Sequence, residues 1–157
     1  MADAIRTVQY GYITVPDKAG EGARILSALK SAGVDLLAYL GFPEGRGKAQ
    51  IDLVAEDMAA VKAVAKANKW KMSPVKKAFL VQGDDRIGAC ADVIGRLAGA
   101  KISITAAEGI SAGAGRWGMI LWVDSRAYAK AAKTLGVVMA KPEAPRDPEP
   151  VLSGGMR

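Results

Sequence analysis

The chain of 157 residues carries 22 lysines and arginines against 16 aspartates and glutamates, a formal charge of +6 at pH 7. It has no histidine and one cysteine, Cys90, which removes the commonest general base, the commonest neutral metal ligand and any intrachain disulfide or thiolate cluster. Half of the residues are hydrophobic, enough for a packed core, yet no apolar run approaches the roughly 20 residues that span a bilayer and the first ten lack a signal-peptide core, so a cytoplasmic protein without membrane contact is expected.

In chain order, QYGYITV (9–15) is short, apolar and β-prone and reads as a first strand. It runs into the turn Asp17-Lys18-Ala19-Gly20 and then an amphipathic helix with Ile25, Leu26 and Leu29, stopped at Gly33. VDLLAYL (34–40) supplies a second strand and GFPEGRGK (41–48) a Gly-rich hairpin. In the third strand, AQIDLVAE (49–56), Ile51, Leu53 and Ala55 alternate with Gln50, Asp52 and Glu56. Asp57 is placed to cap a second helix with Val61, Val64 and Ala65 on one face, and WKM (70–72) closes the unit as a short strand.

The grammar then repeats. KAFLVQ (77–82) is followed by the turn Asp85-Arg86-Ile87-Gly88 and a helix stopped at Gly99. On that helix Cys90, Val93, Ile94 and Leu97 fall at i, i+3, i+4 and i+7, so Cys90 is expected to pack in the core. KISITAAE (101–108), GISAGAGR (109–116) and WGMILWVD (117–124) give strand, hairpin and strand; Ser125 is placed as a cap; Tyr128, Ala131, Ala132 and Leu135 form an apolar helix face; VVMA (137–140) closes the unit. The same displacement of 68 positions that carries Asp17 onto Asp85 also carries Gly20 onto Gly88, Leu29 onto Leu97, Gly41 onto Gly109 and Leu53 onto Leu121. The chain therefore reads as two copies of one unit.

The order β-α-β-β-α-β, twice, predicts an α+β protein of two tandem ferredoxin-like modules, each an antiparallel four-stranded sheet with two helices on one face. Residues 1–75 form the first module and 76–141 the second; 142–157, with its prolines and mixed charge, reads as an extended or disordered tail. Exposed sheet edges call for pairing within the chain or in a homodimer.

Each Asp-x-x-Gly turn joins a strand to a helix N-terminus, whose free N–H groups and dipole suit a carboxylate. The glycine permits positive φ and close approach, and the aspartate suits either a turn or an ammonium. Strand, Asp-Lys/Arg-x-Gly, amphipathic helix and then VDL or ISI resembles the ACT domain family over roughly residues 9–140, more closely in DDRIGACADVIGRLAGAKISI than in DKAGEGARILSALKSAGVDLL. The resemblance implies regulation by an amino acid or similar small carboxylate metabolite, bound near these turns at interfaces between modules, with no cofactor, metal or catalysis and with output through a homodimer or partner protein. Carried over by position, the binding residues are Asp17, Lys18, Ala19, Gly20 and Asp35 in the first copy and Asp85, Arg86, Ile87, Gly88 and Ser103 in the second. Asp35 and Ser103 stand where the family often has Asn, and Arg86 offers the second copy an anion contact.

Two other functions compete. The ferredoxin-like topology also serves RNA-recognition modules, whose sheet aromatics stack on bases. Tyr10, Tyr12, Trp117 and Trp122, with the basic segment 62–77 (Lys62, Lys66, Lys69, Lys71, Lys76, Lys77), supply the residue types. A small enzyme would rest on a carboxylate such as Asp84, Asp85 or Glu108, with no histidine beside it.

Overall fold

The computed structural model describes residues 2–137. The tail 142–157 and all but the first residue of VVMA lie outside them. The elements are β1 (Ala4–Pro16), α1 (Glu21–Ser31), β2 (Ala38–Gly45), β3 (Lys48–Ala55), α2 (Met58–Ala67), β4 (Lys76–Asp84), α3 (Ala89–Gly99), β5 (Ile104–Gly113), β6 (Arg116–Val123) and α4 (Tyr128–Leu135). The strands form one antiparallel sheet in the order β2-β3-β1-β4-β6-β5.

Two separate four-stranded sheets were expected; one six-stranded sheet is found, and β1 explains why. In each half the slot beside the first strand, where a closing strand would pair, is taken by the first strand of the other half: β1 pairs with β4 from Ala4–Gln82 to Tyr10–Lys76. WKM is left with a single bridge, Met72 to Ile13, beyond the end of that pairing. Strand β1 consequently serves two cores. Its C-terminal part sends Ile13 and Val15 into a cluster with Ile25, Leu29, Leu53 and Val61. At its N-terminal part Ile5 packs against the second cluster, around Phe79, Val93, Leu97, Leu121 and Leu135, and the Thr7 hydroxyl lies 2.6 Å from that of Tyr128 on α4. The Tyr128 ring stacks on Phe79 at 4.7 Å, within 3° of parallel.

The strand registers follow the sequence repeat. Gly11–Leu53 between β1 and β3 corresponds, 68 residues on, to Phe79–Leu121 between β4 and β6. Gly41–Ile51 corresponds in the same way to Gly109–Met119, and both outer hairpins carry an irregularity at the same place, Pro43/Gly45 and Ser111/Gly113.

The helix-free face of the sheet is covered too. Val8, Val54, Ala78, Leu80, Ile120 and Trp122 form a third cluster with no helix residue in it, against which Leu37, Ala38 and Leu40 pack. Asp52, on this face of β3 and in the polar phase of its alternation, is 6% exposed. Its carboxylate accepts from Gln50 Nε2 at 2.8 Å. Burial pushes its pKa above the usual carboxylate range, with the Gln50 bond and the charge of Lys76 opposing.

Two local expectations also change. Asp57 caps α2, accepting from the Ala60 N–H at 3.0 Å, but α4 starts only at Tyr128 with Ala127 at its N-cap, so Ser125 caps nothing. Helix α3 ends at Gly99, yet the residue that turns left-handed after it is Lys101 (φ 58°), the counterpart of Gly33 (φ 70°).

Two measurements check these points. Asp57→Ala should cost about 1 kcal/mol in urea unfolding, the ordinary value of a lost N-cap, while Ser125→Ala stays within about 0.5 kcal/mol of the parent. For Asp52 the sign follows from linkage: the native carboxyl holds its proton to higher pH than the unfolded one. The charge penalty is therefore absent below about pH 3.8, grows as pH rises through the raised native value and is complete above it. Asp52→Asn, which keeps an acceptor for Gln50, should raise the melting temperature at pH 7 and lose that advantage near pH 3.5 in a calorimetric pH series.

Candidate functional site

The two Asp-x-x-Gly turns occupy equivalent places at opposite ends of the β1–β4 pair. After β1, the Asp17 N–H donates to Gly47 O at 2.9 Å; after β4, the Asp85 N–H donates to Gly115 O at 2.8 Å. Each turn is thereby tied to the hairpin of its own half. Gly20 (φ 94°) and Gly88 (φ 81°) are the N-caps of α1 and α3 in the left-handed region, and no side chain caps either helix. A Cβ at either glycine would meet nothing within 4 Å, so glycine is required there by backbone conformation and not by crowding.

Beside each turn lies a shallow hollow of about 220 Å³. Asp17, Lys18, Glu21, Gly22, Tyr39, Gly41 and Phe42 are among the residues lining the first. The second is lined by Asp85, Arg86, Gly88, Cys90, Gly109, Ile110, Ser111 and Trp117, together with Ala89. Gly22 corresponds to Cys90, Gly41 to Gly109 and Phe42 to Ile110 under the same displacement of 68. The walls differ in kind. In the first hollow the Tyr39 hydroxyl lies over two glycines, 2.6 Å from where a Cβ on Gly22 would stand and 3.0 Å from one on Gly41. In the second the Cys90 thiol takes that place, 2.7 Å from a Cβ on Gly109.

Cys90 is thus exposed, not part of the core. The buried stripe of α3 is Ala89, Val93 and Leu97, and Ile94 is also exposed. The cause is the start of the helix: with Gly88 left-handed and α3 beginning at Ala89, the i, i+4, i+8 row faces the sheet and turns Cys90 toward the hollow.

Of the ten positions expected to bind, Asp17 and Lys18 come together in the first hollow, and Asp85, Arg86 and Gly88 in the second. Ala19, Gly20 and Ile87 are exposed on the turns without lining either hollow; Asp35 and Ser103 lie exposed just before β2 and β5, away from both.

The electrostatics of the two turns differ. Lys18 is 68% exposed, with its nearest carboxylate, Glu21, at 3.9 Å. Glu21 is held mainly by Arg24, at 2.6 Å. Arg86, in contrast, is held by two carboxylates. It donates to both carboxylate oxygens of Asp3, Nη1 and Nη2 each at 3.0 Å, and to Asp92 through Nε and Nη2 at 3.2 and 2.9 Å. Its guanidinium lies 5.9 Å from the Trp117 ring centroid, and the Trp117 indole N–H donates to the same Asp3 at 3.1 Å. Hydrogen bonding from Arg86 holds the Asp3 carboxyl below its usual range, against the opposing effect of burial. Asp85 accepts from the Ser111 hydroxyl at 2.8 Å. Arg86 is therefore not the free anion contact expected of it.

Sequence reading missed Asp3, Glu21, Tyr39, Phe42, Ser111 and Trp117. The irregularity shared by both hairpins shows only in the strand registers, and Asp3 has no local signal, since its partner is 83 positions away.

Several residues named for the other two functions are otherwise employed. Trp117 and Trp122 are 4% and 5% exposed, and Trp122 meets Tyr10 edge-on at 5.8 Å, so neither offers an outward platform. Lys76 lies over the Tyr12 ring and Lys77 over Tyr128. Asp84 pairs with Arg116 at 2.6 Å while Asp85 turns to Ser111, so the adjacent carboxylates do not act together. Among the described residues no group of three or more His, Cys, Asp or Glu could hold a metal ion, and no helix is long and apolar enough to cross a membrane.

No protein-family model and no curated protein matches the chain. Solved structures do. Protein BT0572 from Bacteroides thetaiotaomicron is similar at 15% identity and a TM-score of 0.72, over 83% of this chain and 87% of that one. The ligand-free regulatory subunit of aspartate kinase from Thermus thermophilus is similar at 16% identity and 0.58, over 85% and 94%. Its counterpart from Thermus flavus is similar at 15% and 0.52, over 86% and 94%. At these identities the likeness is one of fold. The chain has an ACT-like, ferredoxin-like α+β fold, the fold of aspartate kinase regulatory subunits.

Proposed function

We propose that the protein is a regulatory binding protein without catalysis of its own, built of two tandem ACT modules (1–75 and 76–141) with a C-terminal tail (142–157), which senses an amino acid or similar small carboxylate in the cytoplasm. The observation that carries this reading is the pair of equivalent hollows, each at a strand–turn–helix junction with a left-handed glycine at the helix start. At about 220 Å³ they are smaller than the roughly 300–1,000 Å³ pockets of drug-sized ligands and suit a metabolite of a few heavy atoms. The first combines an open ammonium, Lys18, with the carboxylates of Asp17 and Glu21, the charges a zwitterion needs. The fold of aspartate kinase regulatory subunits supports the regulatory part of the reading.

Output would pass through a homodimer or a partner protein. Of the exposed large hydrophobic residues among those described, Tyr39, Phe42 and Ile110 line the hollows from the outer strands β2 and β5, and Ile87 stands on the second turn. Both outer strands also offer unpaired backbone to another sheet edge. A ligand in a shallow hollow would be covered by whatever docks there.

A thermal-shift screen against the proteinogenic amino acids tests the reading. One of them, at a hundredfold excess over its Kd, should stabilise by about 2.7 kcal/mol, a rise of roughly 5–10 °C. No shift with any of them would sink the proposal. For the amino acid that binds, Asp17→Ala should weaken calorimetric affinity by roughly 10- to 150-fold, the effect of a charge-assisted contact of about 1.5–3 kcal/mol. Unchanged affinity in a folded Asp17→Ala variant would place the ligand elsewhere.

A further inference from the structure

Three features beside the second hollow, at its lining residues Arg86 and Trp117, have no use in a site that is simply open. The Asp3 side chain is only 9% exposed, although it belongs to the segment just before β1. It is gripped by a bidentate guanidinium and by an indole N–H, a donor set of the kind used to bind a ligand carboxylate. At Gly83, the neighbouring position on β4, a Cβ would collide with the Asp3 carboxylate, so the backbone has been cleared to let this carboxylate in.

We infer that Arg86 and Trp117 form a carboxylate seat which the chain fills with its own Asp3. The second hollow is thereby closed to free carboxylates, the first remains open, and each chain binds one ligand, not two. The stoichiometry rests on the function proposed above; the seat itself does not. The repeat supplies the contrast. By the displacement of 68, Asp3 corresponds to Lys71 and Arg86 to Lys18. Lys71 stands in the groove beside Val15 and Pro16, next to the first turn, where it adds positive charge and cannot neutralise Lys18.

Cys90, the chain's one cysteine, lines the second hollow with Arg86 and reports on it. Iodoacetate and iodoacetamide alkylate a thiolate by the same displacement of iodide and differ in their carboxylate. In the parent protein both rates should rise linearly with reagent concentration. In Asp3→Ala the iodoacetate rate should rise about fivefold relative to iodoacetamide, the factor one unit charge exerts in water at about 4 Å. That rate should also level off with concentration and be slowed by sodium acetate but not by an equal ionic strength of sodium chloride.

Asp92→Asn removes the same charge without vacating the seat, and its iodoacetate rate should stay linear. Asp3→Ser, whose short side chain also vacates the seat, gives the same comparison if the alanine variant folds poorly. A linear, acetate-insensitive iodoacetate rate in both Asp3 variants, or a parent protein that already saturates, overturns the seat. Two bound amino acids per parent chain in the calorimetry would overturn the closure while leaving amino-acid sensing in place. An amino-acid screen with no hit beside a saturable Asp3→Ala variant would leave the seat standing and remove the sensing function instead.

Discussion

The antiparallel pairing of β1 with β4 is the contact on which the rest of the molecule depends. It puts the first strand of each half into the slot where the other half's closing strand would lie, and so turns two small sheets into one. A ferredoxin-like half of this size has a marginal core by itself. Here β1 feeds side chains into both helix-covered clusters, and the Thr7–Tyr128 contact ties the first strand to the last helix. Because the two strands run in opposite directions, the turns that follow them emerge at opposite ends of the sheet. The start of each strand is thereby brought beside the other half's turn. That geometry alone delivers Asp3 to Arg86 and Lys71 to the neighbourhood of Lys18.

The same joining explains the buried carboxylate. A lone module would leave the helix-free face of its sheet open to water, and Asp52 would be an ordinary outward residue. With six strands in one sheet, Val8, Leu80, Ile120 and Trp122 assemble a third cluster on that face, and Leu40, paired with Asp52 across β2 and β3, packs against it. Gln50, two residues away on the same side of β3, supplies the hydrogen bond that makes the burial tolerable.

Much of this architecture could be read from the residues, because period and turn chemistry are local. Ile51, Leu53 and Ala55 face the helices as their alternation requires, the Val61 and Tyr128 faces are buried, and Asp57 caps its helix. What stayed hidden was decided at long range. WKM has the composition of a strand, but β4 reaches its partner first. On α3 the expected Val93 and Leu97 are buried, but Cys90 and Ile94 are exposed and Ala89 takes the inward place, because helical period alone does not fix where the helix starts after the left-handed Gly88. At the candidate site the turns were legible and their surroundings were not. Nothing near Arg86 in sequence announces Asp3, and nothing near Gly22 announces the hydroxyl of Tyr39.

The pairing of β1 with β4 also has a consequence for dilution. Two separate polypeptides meeting along these edges would associate by mass action and come apart as concentration fell. Within one chain the segment between α2 and β4 holds the second edge close to the first, with an effective concentration on the order of millimolar for a short tether. The junction between the halves is therefore a folding event and not a binding equilibrium, and its occupancy does not change with the amount of protein in the cell. Among the described strands, the outer edges of β2 and β5 are left for contacts whose occupancy concentration can set.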